Sequence, residues 1–147
     1  MSGLTQRELE SYLWGAATLL RGLIDASDYK QYIFPLVFLK RISDVYDEEH
    51  AAAMEVYEDE ELADLPENHR FAIPHGCHWD DIHGVTQNIG AALLHAMRSI
   101  EKANPDTLYG VFGDAQWSNK ERLSDALLKD LIEHFSKLPL GNKNVNS

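Results

Sequence analysis

The sequence predicts a mainly α protein, a helical bundle of four to five helices with small extended elements. Apolar residues recur at three- and four-residue intervals in several long stretches, as on the buried face of a helix. Residues that cap or stop helices bound these stretches. No internal repeat, low-complexity tract or alternation of strand and helix patterns is present. We expect residues 1–140 to form one domain and residues 141–147 to begin a linker.

The first helix begins at a capping signal. Thr5 is followed three residues later by Glu8, the pattern of a capping box, and Leu4 and Leu9 occupy the positions of a hydrophobic staple. The helix should end near Gly22. The apolar positions on one face of this helix are Leu9, Tyr12, Leu13, Ala16, Ala17 and Leu20.

A second helix should be capped by Asp25 or Ser27, and its centre, residues 33–39, is apolar on every side. A helix segment without a polar face belongs inside a bundle, so we expect residues 33–39 to form the core. Pro35 lacks the amide that would donate to the carbonyl four residues earlier, which predicts a kink there.

An acidic arm, residues 42–69, follows. The chain has a net charge of -11, and this arm holds eleven acids and no Lys or Arg, whereas the rest of the chain holds thirteen acids and thirteen bases. The arm is interpreted as a solvated helix face and loop. The balanced remainder allows local contact with phosphate but not strong binding of the isolated domain to DNA.

The second half of the chain predicts short extended pieces at residues 71–74 and 79–82. A third helix should run from about Gln87 to Ala103, where Asn104 and Pro105 stop it, and a last helix should cover residues 120–137. Their inward positions are Ile89, Leu93, Ala96, Met97 and Ile100, then Leu123, Leu127, Leu128, Leu131, Ile132 and Phe135.

Cysteine usage and hydropathy predict a cytoplasmic protein without membrane association. Cys77 is the single cysteine, and the first residues show no basic start followed by an apolar signal core. The longest apolar run, residues 32–39, is far shorter than the ~20 residues of a membrane-spanning helix.

The densest group of potential metal ligands lies in residues 75–83. Zinc accepts such imidazole and thiolate ligands, but one cysteine matches no closed structural-zinc spacing. We assign no catalytic, cofactor-binding or metal residue, and keep a small metal-binding protein as an alternative function. The ligands in question are His75, Cys77, His78, Asp80, Asp81 and His83.

Two blocks of sequence resemble a known family. Residues 13–47 carry a Leu-Trp pair, an Arg-Gly break, an Asp-Ala-Ser turn and the run F-L-K-R-I-S-D, and residues 88–112 carry N-I-G-A-A-L, A-M-R-S-I-E-K-A-N-P and L-Y-G-V-F. Both resemble the N-terminal helical domain of the modification (DNA adenine methyltransferase, M) subunit of type I restriction-modification systems. The resemblance covers residues from about 4 to 140.

This resemblance implies that the full-length protein is an adenine-specific DNA methyltransferase using S-adenosylmethionine. Its expected partners are a specificity subunit, a second modification subunit and a restriction subunit. The present chain is expected to be a noncatalytic module without a cofactor that aids assembly and closure around DNA, with residues 141–147 leading to a catalytic domain outside it. The loop Asn/Asp-Pro-Pro-aromatic, which holds a flipped adenine, does not occur in this sequence. A free-standing helical protein–protein interaction domain remains the other alternative.

Lys30, Lys40 and Arg41 are the candidate contacts with DNA or a partner. Lys30 and Lys40 lie ten residues apart and so fall on different helix faces, unless a kink at Pro35 rotates one toward the other. The competing interpretation is that these bases balance neighbouring acids, for example Arg41 with Asp44, Asp25 or Asp28. Duplex DNA is expected to bind weakly, or only within the assembled complex.

Overall fold

Residues 4–142, the part of the chain that this computed structural model describes, contain six α-helices and no β-strand. The mainly α fold class is therefore confirmed. Single 3-10 turns lie at Ala26–Asp28 and Pro66–Asn68, and no helix of this part is long and apolar enough to cross a membrane. The helices are α1 (Gln6–Leu20), α2 (Tyr29–Tyr57), α3 (Glu60–Ala63), α4 (Trp79–His83), α5 (Ile89–Ala103) and α6 (Asp125–Ser136).

Helix α1 begins at the predicted capping box. The Glu8 amide donates to Thr5 Oγ1 at 3.0 Å, and the Thr5 amide donates to Glu8 Oε1 at 3.3 Å. The helix ends at Leu20, and Gly22 follows with a φ of 81°, a left-handed conformation that glycine adopts without strain. Helix α1 packs mainly on α6, where the Tyr12 ring lies tilted against the His134 ring, with centroids 5.3 Å apart.

Helix α2 is the central element and continues through Pro35 without interruption. Leu36 and Leu39 are fully buried, but Phe34 and Phe38 point outward and are 40% and 38% exposed. The prediction that residues 33–39 form the core is thus right for one helix face and wrong for Phe34 and Phe38. This helix segment is apolar on every side, but only one of its sides is buried.

The core continues between α2, α5, α6 and the loop that joins the last two helices. Trp117 in that loop meets Tyr32 edge to face, with ring centroids 5.4 Å apart. A Cβ on Gly90 would lie 1.8 Å from the Trp117 carbonyl oxygen, so only glycine allows this approach. Asp125 accepts a hydrogen bond from the Ile89 amide at 3.0 Å, which lowers the pKa of its carboxyl group and joins the starts of α5 and α6.

The prediction of an extended piece at residues 79–82 is wrong, because these residues form helix α4. His78 acts as the N-cap: its Nδ1 accepts from the Asp80 amide at 2.9 Å, and Asp81 accepts from the His78 amide at 3.1 Å. Histidine is not among the usual capping residues, so the local signal was missed. Residues 71–74 have no regular secondary structure.

The predicted start of the last helix also needs correction. Helix α6 begins at Asp125 rather than at Lys120, because Ser124 provides the cap, accepting from the Leu127 amide at 3.1 Å. Residues 120–123 form turns instead. Helix α5 begins at Ile89, two residues after the predicted start, and ends at Ala103 as predicted.

The acidic arm is ordered and folds back on itself. Helix α2 runs to Tyr57, and Glu58 adopts a left-handed φ of 52° that reverses the chain. Asp59 then caps α3 by accepting from the Leu62 amide at 3.1 Å. The arm therefore consists of the second part of α2 and a short returning segment that packs against it.

Candidate functional site

Lys40, one of the three predicted contacts, is buried within the domain. Its Nζ lies 2.5 Å from Asp44 Oδ2 and 2.8 Å from the Leu138 carbonyl oxygen. The same Asp44 oxygen accepts from the Leu140 amide at 2.9 Å. A buried ammonium requires such pairing and hydrogen bonding. Asp44, which we expected to pair with Arg41, is therefore paired with Lys40.

Arg41 also makes contacts within the domain. Its Nη1 donates to the Leu140 carbonyl oxygen and its Nη2 to Asn142 Oδ1, each at 2.6 Å. Within residues 4–142, Arg41 has no carboxylate partner. The predicted partner Asp28 instead accepts from Arg122 at 2.8 Å. Together, Lys40 and Arg41 hold the chain that follows α6 against α2.

The first residues of the predicted linker, 141–147, take part in this contact. Gly141 is buried, and the Asn142 amide donates to Glu48 Oε1 at 2.6 Å. Residues 143–147 lie outside the described part of the chain. Packing on α2 thus extends at least to Asn142.

Lys30 differs from the other two candidates. It lies exposed in the first turn of α2, and no partner of its ammonium group is found among residues 4–142. Ten residues of helix separate it from Lys40 by about 15 Å along the axis. The structure therefore does not bring the three predicted residues together into one site.

Arg41 does line a shallow groove with residues that the sequence did not indicate. The groove encloses about 170 Å³ and lies between α2, the segment after the acidic arm and the loop after α5. We call it the interaction groove. Its lining residues are Phe38, Arg41, Ile42, Arg70, Phe71, Leu108 and Val111.

The interaction groove combines aromatic rings with arginines. The Arg70 guanidinium lies 5.3 Å from the centroid of the Phe71 ring, a distance at which a cation is attracted to a ring. The Arg70 amide donates to both oxygens of Glu49, at 3.0 and 3.1 Å, which fixes this segment to α2. Arg70 is the first Lys or Arg after the acidic arm, and this position is the sequence signal that could have marked it as a candidate site residue.

Asn104 fixes the other side of the groove. Its Oδ1 accepts from the Ala72 amide and its Nδ2 donates to the Ala72 carbonyl oxygen, both at 2.8 Å. The sequence interpreted Asn104 as a helix stop, and the structure adds this second role. The end of α5 thereby positions Phe71 opposite α2.

A second depression, of about 650 Å³, lies beside the loop after α5. Tyr109 borders it and is 89% exposed. Arg98 in this depression is already paired, because it lies 2.5 Å from Glu101 Oε1 and also donates to the Gly113 carbonyl oxygen. The depression also presents the exposed side chain of Lys102.

The potential ligands of residues 75–83 do not all converge on one point. His83 Nε2 lies 2.5 Å from Glu133 Oε1, while Cys77 is buried and burial raises the pKa of its thiol. His78 Nε2 lies 2.8 Å from Asp47 Oδ1. Within the described residues, His75, Cys77 and His83 belong to no group of ligands close enough for one ion, whereas His78 and Asp80 form such a group with Asp47. Residues 75–83 therefore do not form a metal site by themselves.

A different set, the histidine cluster, lies on the acidic arm and consists of Tyr46, His50, Asp64 and His69. The Tyr46 ring stacks on His69 with centroids 3.7 Å apart, and its hydroxyl donates to Asp64 Oδ1 at 3.1 Å. Burial and the neighbouring carboxylates, Asp64 foremost, raise the pKa of Tyr46 to about 12. The sequence analysis missed this cluster because its members come together only through the chain reversal at Glu58.

A comparison with family models gives one match. The model described as HsdM N-terminal domain matches residues 9–135 of the chain. This range contains the interaction groove and the histidine cluster. No curated protein matches the chain.

Proposed function

We propose, from the premise that this chain belongs to the HsdM N-terminal domain family, that it is a noncatalytic module of a type I restriction-modification DNA methyltransferase. Its role is to aid assembly with the specificity subunit and closure of the complex around DNA. The intact enzyme would transfer a methyl group from S-adenosylmethionine to the N6 amine of adenine. A second modification subunit and a restriction subunit would complete the complex.

The interaction groove is the observation that supports an assembly role most directly. Aromatic rings and arginines beside apolar side chains dominate the binding energy of many protein interfaces. Phe38 lies in the groove, and Phe34 stacks beside it with ring centroids 6.3 Å apart. A protein partner would remove both rings from water, which is favourable.

The contacts of the basic residues favour a protein over DNA as the partner of the groove. Lys40 is paired within the domain, and the guanidinium of Arg41 donates to Leu140 and Asn142. Phosphate contact needs cations that are free to approach the backbone. Lys30 meets this condition and is the remaining candidate for a DNA contact, one that would matter once the complex holds the domain beside DNA.

Assembly can be tested by reconstituting the modification subunit that carries this domain with its specificity subunit. The double variant Phe38→Ala/Arg70→Ala should weaken association at least about tenfold, or roughly 1.4 kcal/mol. Tyr109→Ala, which removes a more exposed ring that borders the second depression and does not line the groove, is the matched control and should assemble normally. Light scattering across a dilution series gives the dissociation constants. Unchanged assembly of a folded double variant would refute the role of the groove.

A further inference from the structure

We propose that the histidine cluster binds one divalent transition metal ion of the zinc class through His50 Nδ1, His69 Nδ1 and the carboxylate of Asp64. The ion would fasten the returning segment of the acidic arm to α2. This site shares no ligand with residues 75–83, although His78 and Asp80 border the same depression, and it does not rest on the proposed function.

The three side chains already converge. His50, Asp64 and His69 each place a ligand atom within 4.8 Å of the others. His50 Nδ1 and Asp64 Oδ1 are 3.0 Å apart. Ligands at about 2.0–2.2 Å from a tetrahedral zinc ion lie roughly 3–3.5 Å from one another. The site therefore needs only small side-chain adjustments to take an ion.

The imidazole ring of His69 is oriented by a hydrogen bond of the kind that orients metal-binding histidines. Its side chain is 2% exposed, and its Nε2 lies 2.8 Å from the Ala63 carbonyl oxygen. A carbonyl oxygen only accepts, so Nε2 carries a proton, and in the neutral ring Nδ1 presents a lone pair. Nδ1 is buried and has no hydrogen-bond partner among residues 4–142. A carbonyl that fixes the far ring nitrogen is the usual second contact of metal-binding histidines.

The surroundings of His50 also favour a cation. Nε2 lies 3.0 Å from Glu60 Oε2, and Nδ1 lies 3.0 Å from Asp64 Oδ1 without hydrogen-bond geometry. A neutral imidazole has one N–H, so donation to Glu60 leaves a lone pair facing the carboxylate of Asp64. Two acceptors that face each other at close range repel, and a metal ion between them converts both into ligands.

Tyr46 positions two of the ligands. Its hydroxyl orients the carboxylate of Asp64, and its ring lies parallel to the imidazole of His69, with an interplanar angle of 8°. An open depression of about 330 Å³, bordered by His50, Glu60 and Asp64, gives an ion access from solvent. A water molecule or Glu49, whose Oε1 lies 3.5 Å from His69 Nδ1, can complete four-coordination.

The ligand types select the class of metal. Two imidazoles with one carboxylate suit zinc and its transition-metal neighbours, whereas calcium and magnesium prefer oxygen ligands throughout. The nearby group Asp47, His78 and Asp80 fits less well, because the Asp80 amide already donates to His78 Nδ1. That group supplies a control.

Calorimetric titration of the metal-free chain with zinc chloride tests the proposal. We expect one zinc ion per chain, and zinc should raise the thermal midpoint. His50→Asn and His69→Gln should each weaken binding at least about tenfold, since loss of even an outer-shell partner costs roughly 10–100-fold. His83→Asn and His78→Asn should bind zinc as the unchanged chain does.

Circular dichroism of the metal-free variants shows whether each is folded. If His69→Gln does not fold, His50→Asn, at the more exposed position, still tests the site. Nitrogen-15 NMR of the histidine rings gives an independent result: zinc should shift Nδ1 of His69 while its Nε2 keeps the proton. Absence of stoichiometric binding by the unchanged chain, binding that survives both cluster variants, or binding lost only in His78→Asn would each overturn the proposal.

Discussion

The two parts of α2 belong to one continuous helix but have different surroundings. In residues 29–45 the helix buries most of one face, including Leu36, Leu39 and Val45. In residues 46–57 the only buried residue is Ala53. The first part packs on α1, α6 and the chain that follows α6, whereas the second packs on the returning segment of the acidic arm. Helix continuity therefore does not imply uniform stabilisation.

The difference has a physical cause. Burial of apolar area stabilises the first part, and this term grows with the area removed from water. The second part depends on exposed or half-buried polar contacts, which solvent and salt weaken. We expect the acidic arm to open locally at a lower free energy than the core around Leu36.

Replacement of a core residue should have the largest effect. Leu36→Ala removes a fully buried side chain and leaves a cavity, so we expect it to lower the free energy of unfolding by ~2–5 kcal/mol. Phe38→Ala, two residues away and partly exposed, is the control and should cost less than ~1 kcal/mol. Denaturant melts measure both. Equal losses at the two positions would show that Phe38 is packed as tightly as Leu36.

Removal of the buried ammonium should have an intermediate effect. Lys40→Ala leaves the Leu138 carbonyl oxygen without this donor and Asp44 with only the Leu140 amide, which we expect to cost about 1–3 kcal/mol. Lys129→Ala, at an exposed position of α6, should change stability by less than ~0.5 kcal/mol. If the two variants melted alike, the pairing of Lys40 would contribute nothing to the fold.

The smallest effect should come from His78 and should depend on pH. Burial lowers the pKa of His78, but the hydrogen bond to Asp47 and the nearby carboxylates raise it more, so that it lies above the usual 6.5. The stabilisation is therefore fully present below the unfolded pKa and is lost as the pH rises through the folded pKa. Protonation of Nδ1 ends its hydrogen bond with the Asp80 amide, which opposes part of this gain. His78→Asn should therefore cost no more than about 1 kcal/mol near pH 5.5 and less near pH 9. Denaturant melts across this pH range test the sign of the pH dependence. A destabilisation that grows with pH would contradict the prediction.

Local signals in the sequence were enough to predict much of the fold. The capping box of Thr5 and Glu8 and the helix stop at Asn104 act within a few residues, so they could be read directly. Helix α4 could not be predicted from the sequence, because its cap is a histidine. The outward direction of Phe38 could not be predicted either, because tertiary packing decides which side of an entirely apolar segment is covered.

The candidate sites depend on contacts between distant positions. Arg41 was selected from the sequence, but its partners Leu140 and Asn142 lie about a hundred residues further along the chain. Arg70 enters the interaction groove because Glu49 and the end of α5 fix its segment. One sequence without its fold carries no signal for such pairings.

The central claim is that the part of α2 in the core, with the interaction groove, serves assembly, while the exposed carboxylates at the far end of the acidic arm do not take part in it. The most direct test is methyl transfer from labelled S-adenosylmethionine to target duplex DNA by the reconstituted enzyme, at concentrations near its assembly constant. Phe38→Ala/Arg70→Ala should lower the rate at least about tenfold. The arm variant Glu55→Gln/Glu61→Gln, changed at two exposed positions, should keep it. A full rate for the groove variant, or an equal loss in the arm variant, would contradict the account.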